Sequence, residues 1–357
     1  MAARTRTGLV LGGGGVVGGA WMVGALKAIQ DVTGWRPATA DYLVGTSAGA
    51  MVAALLASEL APSFLVTQSL AAPGDALPPP RAPAEGGAGR AGSVFRLQWS
   101  FPRPVLGSPE LALRSLREPW RYGPAGIIGW LPRGVISTEP LKAVINRLVP
   151  SGWSQHSNLW IPAVDYRTGE CVVFGSPGAP AADLADAVAA SCAVPGLYHP
   201  VTINRRLYVD GGIRSASNLD ILMGSDAELV VCLNPMSSIH VGHGLSPAGR
   251  VASLVRGNIG RRLADEARGL RRIGKTVLLV QPAAEDLEVM GFNYMSSKRR
   301  NAVIETAVMT TTRALRQGPL GPALRQLADG PTPEPARPAG PRPQWPADLP
   351  QALTGTP

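Results

Sequence analysis

A serine flanked by small residues stands where it could act as a nucleophile. Residues 45–49 read GTSAG and place Ser47 between Gly45 and Gly49, after an apolar strand pattern at 41–44 and before a small-residue helix pattern. A tight strand-to-helix turn of small residues pushes a serine hydroxyl out of the backbone, at a helix N-terminus. The motif therefore predicts a nucleophile elbow, and a serine that only caps the helix is the alternative interpretation.

A run of glycines before the serine motif offers backbone N–H donors. Residues 12–18 read GGGGVVG, and glycines allow positive φ and close approach to a substrate. Such amides stabilise the oxyanion that forms when serine attacks an acyl carbonyl. The candidates for this role are Gly13, Gly14, Gly15 and Gly18. The same residues also match a GxGxxG dinucleotide fingerprint, but that fingerprint requires an acidic residue after the second strand, where this chain has GTSAG.

An aspartate follows a third apolar strand pattern. Asp210 comes directly after residues 207–209 and is followed by Gly211 and Gly212. Ligands of open α/β sheets bind at the carboxyl ends of strands, although an Asp-Gly pair also forms ordinary tight turns. Together the glycine run, the serine and the aspartate supply a donor set, a nucleophile and a base, which is the equipment of a hydrolase.

The elements that must position these residues alternate between strands and helices. This order favours a sheet built from βαβ units over an all-helical or all-β fold. A hairpin is predicted around the turn residues 167–169. Strands are predicted at 8–11, 41–44, 160–164, 170–174, 207–209, 228–233 and 276–281, and helices at 21–30, 48–56 and 182–192.

In this order along the chain, the glycine run, GTSAG and DGG resemble the motifs of the patatin-like phospholipase family. ASCAVPG at 190–196 and IPAVDYRTG at 161–169 are similar to further blocks of that family, and the likeness spans residues 7–235. The resemblance implies an α/β fold, namely a three-layer α/β/α Rossmann-like patatin fold with a mostly parallel central sheet.

The resemblance also implies a chemistry. Ser47 would be the nucleophile and Asp210 its direct partner in a Ser-Asp dyad, with the amides of residues 13–15 as the oxyanion hole. Such a protein would hydrolyse lipid or other acyl esters through an acyl-serine, with no metal or other cofactor. One position departs from the family, since Val17 stands where the family usually carries Arg or Lys. This removes a possible anchor for phosphate but leaves the backbone donors in place.

Two other functions remain open at this point. The chain order Ser47, Asp210 and then His240 or His243 also suits a Ser-His-Asp esterase. A catalytically silent protein of the same fold could instead bind lipid or serve as a scaffold. Loss of activity on replacing Asp210, with full activity after replacing each histidine, would favour the dyad.

Charge and cysteine content bear on partners and location. The formal net charge of +9 favours anionic partners, and basic residues concentrate at 250–275, where a helix could lie on anionic lipid. We therefore expect peripheral contact with an anionic membrane and no nucleic acid. Three widely spaced cysteines predict neither a disulfide framework nor a zinc site, so a cytoplasmic location is expected.

The chain is predicted to form one hydrolase domain over residues 5–325. A flexible insertion rich in Pro, Ala and Gly is expected at 73–92, and a disordered Pro-rich tail at 330–357. The uncharged run at 8–26 approaches the length of a membrane span. Its eight glycines argue against a helix in lipid or a signal peptide.

Overall fold

The computed structural model describes residues 5–70, 107–117, 129, 131–150, 152–238 and 247–328. The strands in these ranges are β1 (Thr7–Leu11), β2 (Tyr42–Gly45), β3 (Leu159–Asp165), β4 (Cys171–Phe174), β5 (Val201–Ile203), β6 (Arg206–Asp210), β7 (Leu229–Leu233) and β8 (Thr276–Val280). The helices are α1 (Gly15–Thr33), α2 (Ala48–Ala57), α3 (Pro62–Leu70), α4 (Pro109–Arg117), α5 (Glu139–Leu148), α6 (Leu184–Ser191), α7 (Pro247–Arg272), α8 (Ala284–Met290), α9 (Arg300–Gln317) and α10 (Leu320–Ala328).

The strands form one sheet in the order β5-β6-β3-β2-β1-β7-β8, with β4 paired to β3. The five strands from β3 to β8 in this order are mutually parallel, whereas β4 and β6 run antiparallel to β3, and β5 antiparallel to β6. The central sheet is therefore mostly parallel, as expected, and the predicted hairpin is confirmed as β3–β4. Parallel strands also bring the carboxyl ends of β1 and β2 to the same edge of the sheet.

Alternate residues of β1 show the layers of the fold. Leu9 and Leu11 are buried among side chains of α1, α2, α6 and α9 on one face of the sheet. Val10 is buried on the other face, with Leu263 and Leu270 of α7. A strand with a buried side chain in both directions is typical of parallel sheets covered by helices on both faces. The three-layer α/β/α architecture follows.

Some boundaries differ from the prediction. Helix α1 begins at Gly15 rather than at residue 21. Glycines are poor helix formers, but burial of Val17, Gly18 and Ala20 stabilises the first turns of this helix. The three-residue strand β5 was not predicted. The insertion at 73–92, the tail at 330–357, and His240 and His243 lie outside the described residues, and the domain bounds 5–325 stay a prediction. Within the described ranges, no helix combines the length and apolarity needed to cross a bilayer.

Candidate active site

Ser47 sits on a strained turn between β2 and α2. It is the N-cap residue of α2, with φ 53° and ψ −120°, a conformation that non-glycine residues seldom adopt and that concentrates at functional sites. Small neighbours make the turn possible, since a Cβ on Gly49 would lie 2.0 Å from the Leu11 carbonyl oxygen and one on Gly45 2.4 Å from the Gly49 carbonyl oxygen. The predicted elbow geometry is present.

Hydrogen bonds from the C-terminal end of α6 fix the backbone of Ser47. The Ser47 amide donates to Ser191 Oγ at 3.0 Å, and Ser191 Oγ donates to the Pro162 carbonyl at 2.7 Å. The Cys192 thiol donates to the Ser47 carbonyl at 3.2 Å. Ser191 is fully buried, so the elbow is fixed from beneath. The motif at 190–196 contains Ser191, but the sequence predicted no role for this residue.

Asp210 ends β6 and lies beside the serine. Its carboxylate is 4% exposed and accepts a 2.6 Å hydrogen bond from the Gly212 amide. Burial raises the pKa of Asp210 to about 6, and the hydrogen bonds from Gly212 and from the Ser47 side chain lower it by less. Gly211 fits tightly, because a Cβ there would lie 2.4 Å from the Pro162 carbonyl oxygen. A Cβ on Gly212 would lie 2.9 Å from Asp210 Oδ1 and 3.9 Å from Thr46 Cγ2, so the carboxylate lies next to the residue before Ser47.

The four candidate donor glycines divide into two pairs. The Gly13 amide donates to the Ala216 carbonyl at 2.7 Å, and the Gly18 amide to the Gly14 carbonyl at 2.8 Å. Gly18 instead serves packing, since a Cβ there would come within 3.0 Å of the Pro235 ring. Among the described residues, the amides of Gly14 and Gly15 have no hydrogen-bond partner.

The loop that carries the unpaired amides lies beside Ser47. A Cβ on neighbouring Gly13 would lie 3.4 Å from Ser47 Cβ, so this loop passes directly beside the serine. Gly15 opens α1 with φ +60°, and the N-terminus of a helix attracts negative charge. The Gly13 and Gly18 amides already donate to backbone carbonyls. Gly14 and Gly15 therefore remain the candidate donors for an oxyanion hole.

Asn218 joins the elbow to the loop after Asp210 and was not recognised in the sequence. It is fully buried, adopts φ 50°, and donates from Nδ2 to Thr46 Oγ1 at 3.1 Å, the Gly211 carbonyl at 3.2 Å and the Ser215 carbonyl at 2.7 Å. Arg214 in turn donates to Asn218 Oδ1 at 2.8 Å. An Asn eight residues after an Asp is too common a pattern to have revealed this contact.

His156, which is one of the described histidines, has a structural role. His156 Nε2 lies 2.9 Å from the Ala40 carbonyl, and its Nδ1 accepts from the Asn158 amide at 3.3 Å. Burial lowers the pKa of His156, which suits a neutral ring that holds the loop before β3. His240 and His243, the two proposed for a triad, lie outside the described residues.

Val17 has a structural explanation. Its side chain is fully buried in the core, and its amide donates to the Tyr294 carbonyl at 3.0 Å. A cation at this position would have to enter that apolar core. The three cysteines are free thiols, and the described residues contain no group of three or more His, Cys, Asp or Glu side chains placed to hold a metal ion.

A serine on a strand–turn–helix elbow, beside a buried carboxylate at the edge of a parallel sheet, defines an α/β protein with the equipment of a serine hydrolase. A sequence profile of the patatin-like phospholipase family matches residues 9–223. The match covers more than half of the chain, which therefore belongs to this family.

A similar solved structure is VipD from Legionella pneumophila, which is 15% identical, with a TM-score of 0.38, over 87% of this chain and 67% of that chain. No curated protein matches the chain.

Proposed function

We propose that this protein is a lipid acyl hydrolase that uses Ser47 as nucleophile and Asp210 as base. Its family generally hydrolyses lipid esters. The observation that carries the proposal for this chain is the position of the buried Asp210 carboxylate beside the elbow. A Cβ on Gly212 would lie 2.9 Å from Asp210 Oδ1 and 3.9 Å from Thr46 Cγ2, and Thr46 is the residue before Ser47. A serine is a weak nucleophile at neutral pH and needs an adjacent base. A carboxylate whose pKa is about 6 is ionised at pH 7 and is still basic enough to accept a proton during attack.

The reaction proceeds in two halves. Ser47 Oγ attacks the acyl carbonyl carbon while its proton passes to Asp210, and the amides of Gly14 and Gly15 donate to the oxyanion. Collapse of the tetrahedral intermediate breaks the ester bond, and the leaving alcohol takes the proton from Asp210. Water then attacks the acyl-serine, gives its proton to Asp210, and releases the fatty acid as the proton returns to Ser47.

Exposed apolar side chains beside the site support a lipid substrate. We use the name rim for three of these residues, Val194, Phe292 and Met295. Their side chains are 38%, 60% and 37% exposed, respectively. Met295 Sδ lies 3.0 Å from the Cβ position of Gly15, and Val194 follows Ala193, whose carbonyl accepts from the Asp210 amide at 3.0 Å. Exposed apolar groups around a site suit contact with a lipid surface. The rim therefore supports peripheral membrane contact at the mouth of the site.

The basic residues at 250–275 give weaker support for such contact. Several of them are engaged within the fold: Arg262 with Glu266 and Arg268 with Asp265 in ion pairs, and Lys275 Nζ with the Ser225 and Ala227 carbonyls. Charges used in this way contribute less to an anionic surface. Membrane contact is therefore proposed through the rim, and the cytoplasmic location stays a prediction.

The test is labelling with a fluorophosphonate probe, together with hydrolysis of p-nitrophenyl esters of varied chain length and of defined phospholipids. Native protein should be labelled and active, whereas Ser47→Ala should abolish labelling and lower kcat by about 10⁴-fold or more. Asp210→Asn should cause a comparable loss. Ser225→Ala, which removes a hydroxyl that donates to the Leu222 carbonyl at 2.8 Å and accepts from the Ala227 amide at 3.3 Å, is the matched control and should retain full activity.

The same experiment separates the alternatives. Native protein that stays unlabelled, beside a serine hydrolase that reacts, would favour the catalytically silent lipid-binding function. Loss of activity in His240→Ala or His243→Ala, with an active Asp210→Asn variant, would favour the Ser-His-Asp esterase.

A further inference from the structure

A second pocket lies away from Ser47, at the other end of the β3–β6 ladder. It has a volume of about 490 Å³, and its lining includes neither Ser47, Asp210 nor any residue of the glycine loop. Asp210 pairs with Ala163 in this ladder, whereas the pocket residue Asp165 pairs with Tyr208. Two residues of strand separate these pairs by about 7 Å. The pocket is therefore close to the strand that carries Asp210, yet distinct from the site described above.

Four arginines line the pocket, namely Arg133, Arg167, Arg205 and Arg206. The pocket also contains two carboxylates, each in an ion pair with one of these arginines: Arg206 with Asp165 at 3.2 Å and Arg167 with Glu110 at 3.7 Å. Four cations against two anions leave an excess of two positive charges. Planar guanidinium groups recognise phosphate through paired N–H donors.

The pocket has a fixed frame. Asp165 is 2% exposed and accepts from the amides of Arg167 and Thr168 at 2.8 and 3.0 Å, so the carboxylate that holds Arg206 cannot easily move. The two-residue turn of Asn204 and Arg205 joins β5 to β6, with φ of 48° and 62°, as in tight hairpins. Arg167, Arg205 and Arg206 thus project from a strand of the sheet or from its turns, whereas Arg133 lies in a loop and donates from Nε to the Gly107 carbonyl at 3.3 Å.

Tyr166 adds a hydroxyl to the lining of the pocket. The residue is 2% exposed, and within the described ranges its hydroxyl makes no hydrogen bond. Burial raises the pKa of Tyr166 and the charge of Arg133 lowers it by less, so the hydroxyl stays protonated and lies near that guanidinium. An anion in the pocket would accept a hydrogen bond from this hydroxyl.

We propose that this pocket binds a phosphate group in its dianionic, monoester form. The excess of two positive charges matches the charge of that group, and the arginines with the Tyr166 hydroxyl supply the N–H and O–H donors that a fully ionised phosphate requires. A carboxylate ligand would match half of the charge. The group can belong to free phosphate or to a lipid headgroup, and the two sources are separated below. The proposal does not rest on the hydrolase activity.

The first experiment measures binding of inorganic phosphate to the full chain by isothermal titration calorimetry at constant ionic strength. Phosphate binding should be saturable. Arg133→Gln should weaken it at least tenfold, and Tyr166→Phe at least threefold. Arg316→Gln, which removes one exposed charge from α9, is the matched control and should bind like native protein. Ser47→Ala should also bind normally, so that failure of the hydrolase proposal is distinguishable.

The second experiment identifies the source of the phosphate. Co-sedimentation compares phosphatidylcholine vesicles that contain phosphatidic acid with vesicles that contain an equal charge of phosphatidylserine, which lacks a monoester. Preference for phosphatidic acid that Arg133→Gln abolishes assigns a lipid headgroup, and equal sedimentation with retained binding of inorganic phosphate assigns a soluble ligand.

Two results would overturn the proposal. One is the absence of saturable phosphate binding to native protein. The other is phosphate binding that Arg133→Gln, Tyr166→Phe and Arg316→Gln leave equally strong, since general charge attraction alone would then explain it. A circular dichroism melt of each variant establishes that it is folded at the temperature of the titration.

Discussion

The side-chain amide of Asn218 donates to Thr46 Oγ1 at 3.1 Å, across 172 positions of sequence. This contact joins the residue before the proposed nucleophile to the loop that follows Asp210. The same amide holds the Gly211 carbonyl at 3.2 Å. One buried side chain therefore fixes the distance between the two halves of the proposed dyad.

Replacing Asn218 should impair catalysis more than its distance from the substrate would suggest. Asn218→Gly tolerates the positive φ but removes the donors, so kcat/KM should fall at least tenfold and the free energy of unfolding by about 1–3 kcal/mol. Asn218→Ala should lose about 1 kcal/mol more, because alanine is strained at φ 50°. Asn158→Ala is the control: it removes a 3.0 Å bond to the Asp41 carbonyl at the opposite edge of the sheet and should leave kcat/KM unchanged. Full activity of Asn218→Gly would contradict this role.

The pH dependence of hydrolysis should report Asp210. The carboxylate must be ionised to accept the serine proton, and burial raises its pKa to about 6. Hence kcat/KM should rise tenfold per pH unit below about 6 and level off near pH 7, with no dependence on a group of ordinary aspartate pKa. A pH–rate profile from pH 4.5 to 9 with a soluble ester checks this. A profile that is flat down to pH 5 would contradict a base with this raised pKa.

Asp210 should lower the stability of the protein while it supports activity. Its pKa is raised from 3.8 in the unfolded chain to about 6 in the folded one, so the folded state binds the proton more tightly. The resulting cost develops as pH rises from about 4 to 6, is complete above that range, and amounts to at most about 3 kcal/mol. Asp210→Asn should therefore be inactive but more stable at pH 8 by about 1–3 kcal/mol.

Urea unfolding at pH 8 and pH 4.5 measures this difference. The advantage of Asp210→Asn over native protein should shrink or vanish at pH 4.5, where the native carboxyl is protonated. Asp31→Asn, at an exposed position of α1 that pairs with Lys27, is the control and should give no such pH-dependent gain. Equal stability of native protein and Asp210→Asn at pH 8 would refute the assigned cost.

Ser191 tests whether the elbow needs support from below. Its hydroxyl accepts from the Ser47 amide and donates to the Pro162 carbonyl, so Ser191→Ala leaves two buried backbone groups unpaired. Unfolding should become easier by about 1–3 kcal/mol, and kcat should fall at least tenfold with KM little changed. Ser225→Ala serves again as the control, and steady-state kinetics with a soluble ester supply the measurement. A loss of stability without a loss of kcat would reduce Ser191 to a packing role.

The sequence predicted the parts of the site that are continuous in the chain. GTSAG predicts an elbow locally, and Asp210 directly follows an apolar strand pattern. Because β6 runs antiparallel to β3, the rule that parallel strands share a carboxyl edge does not by itself bring Asp210 to Ser47. Ser191 and Asn218 could not be found in this way, because their contacts with Ser47 and Thr46 span 144 and 172 positions. Such contacts depend on the order and direction of β3 and β6 in the sheet, which a local sequence pattern does not predict.

The same limit applies to the fold and to the donor set. Apolar runs revealed the central strands, whereas β5 has only three residues, one of them exposed, too short for a clear period. Nor does the glycine run reveal which amides are free. The Gly13 amide is engaged only because the Ala216 carbonyl, 203 positions later, lies 2.7 Å away.

Phe292 should matter for lipid surfaces and not for soluble esters. Its side chain is 60% exposed two residues before Tyr294, whose carbonyl oxygen lies 2.8 Å from the Cβ position of Gly15. Burial of a phenyl group in lipid is worth about 1.5–3 kcal/mol. Phe292→Ser should therefore lower vesicle binding and hydrolysis of vesicle phospholipid about tenfold, with the rate on a short-chain soluble ester unchanged. Ile273→Ser is the matched control, because Ile273 is 55% exposed and precedes β8 at the opposite edge of the sheet. If both variants lose vesicle binding equally, general apolarity rather than the rim brings the protein to lipid.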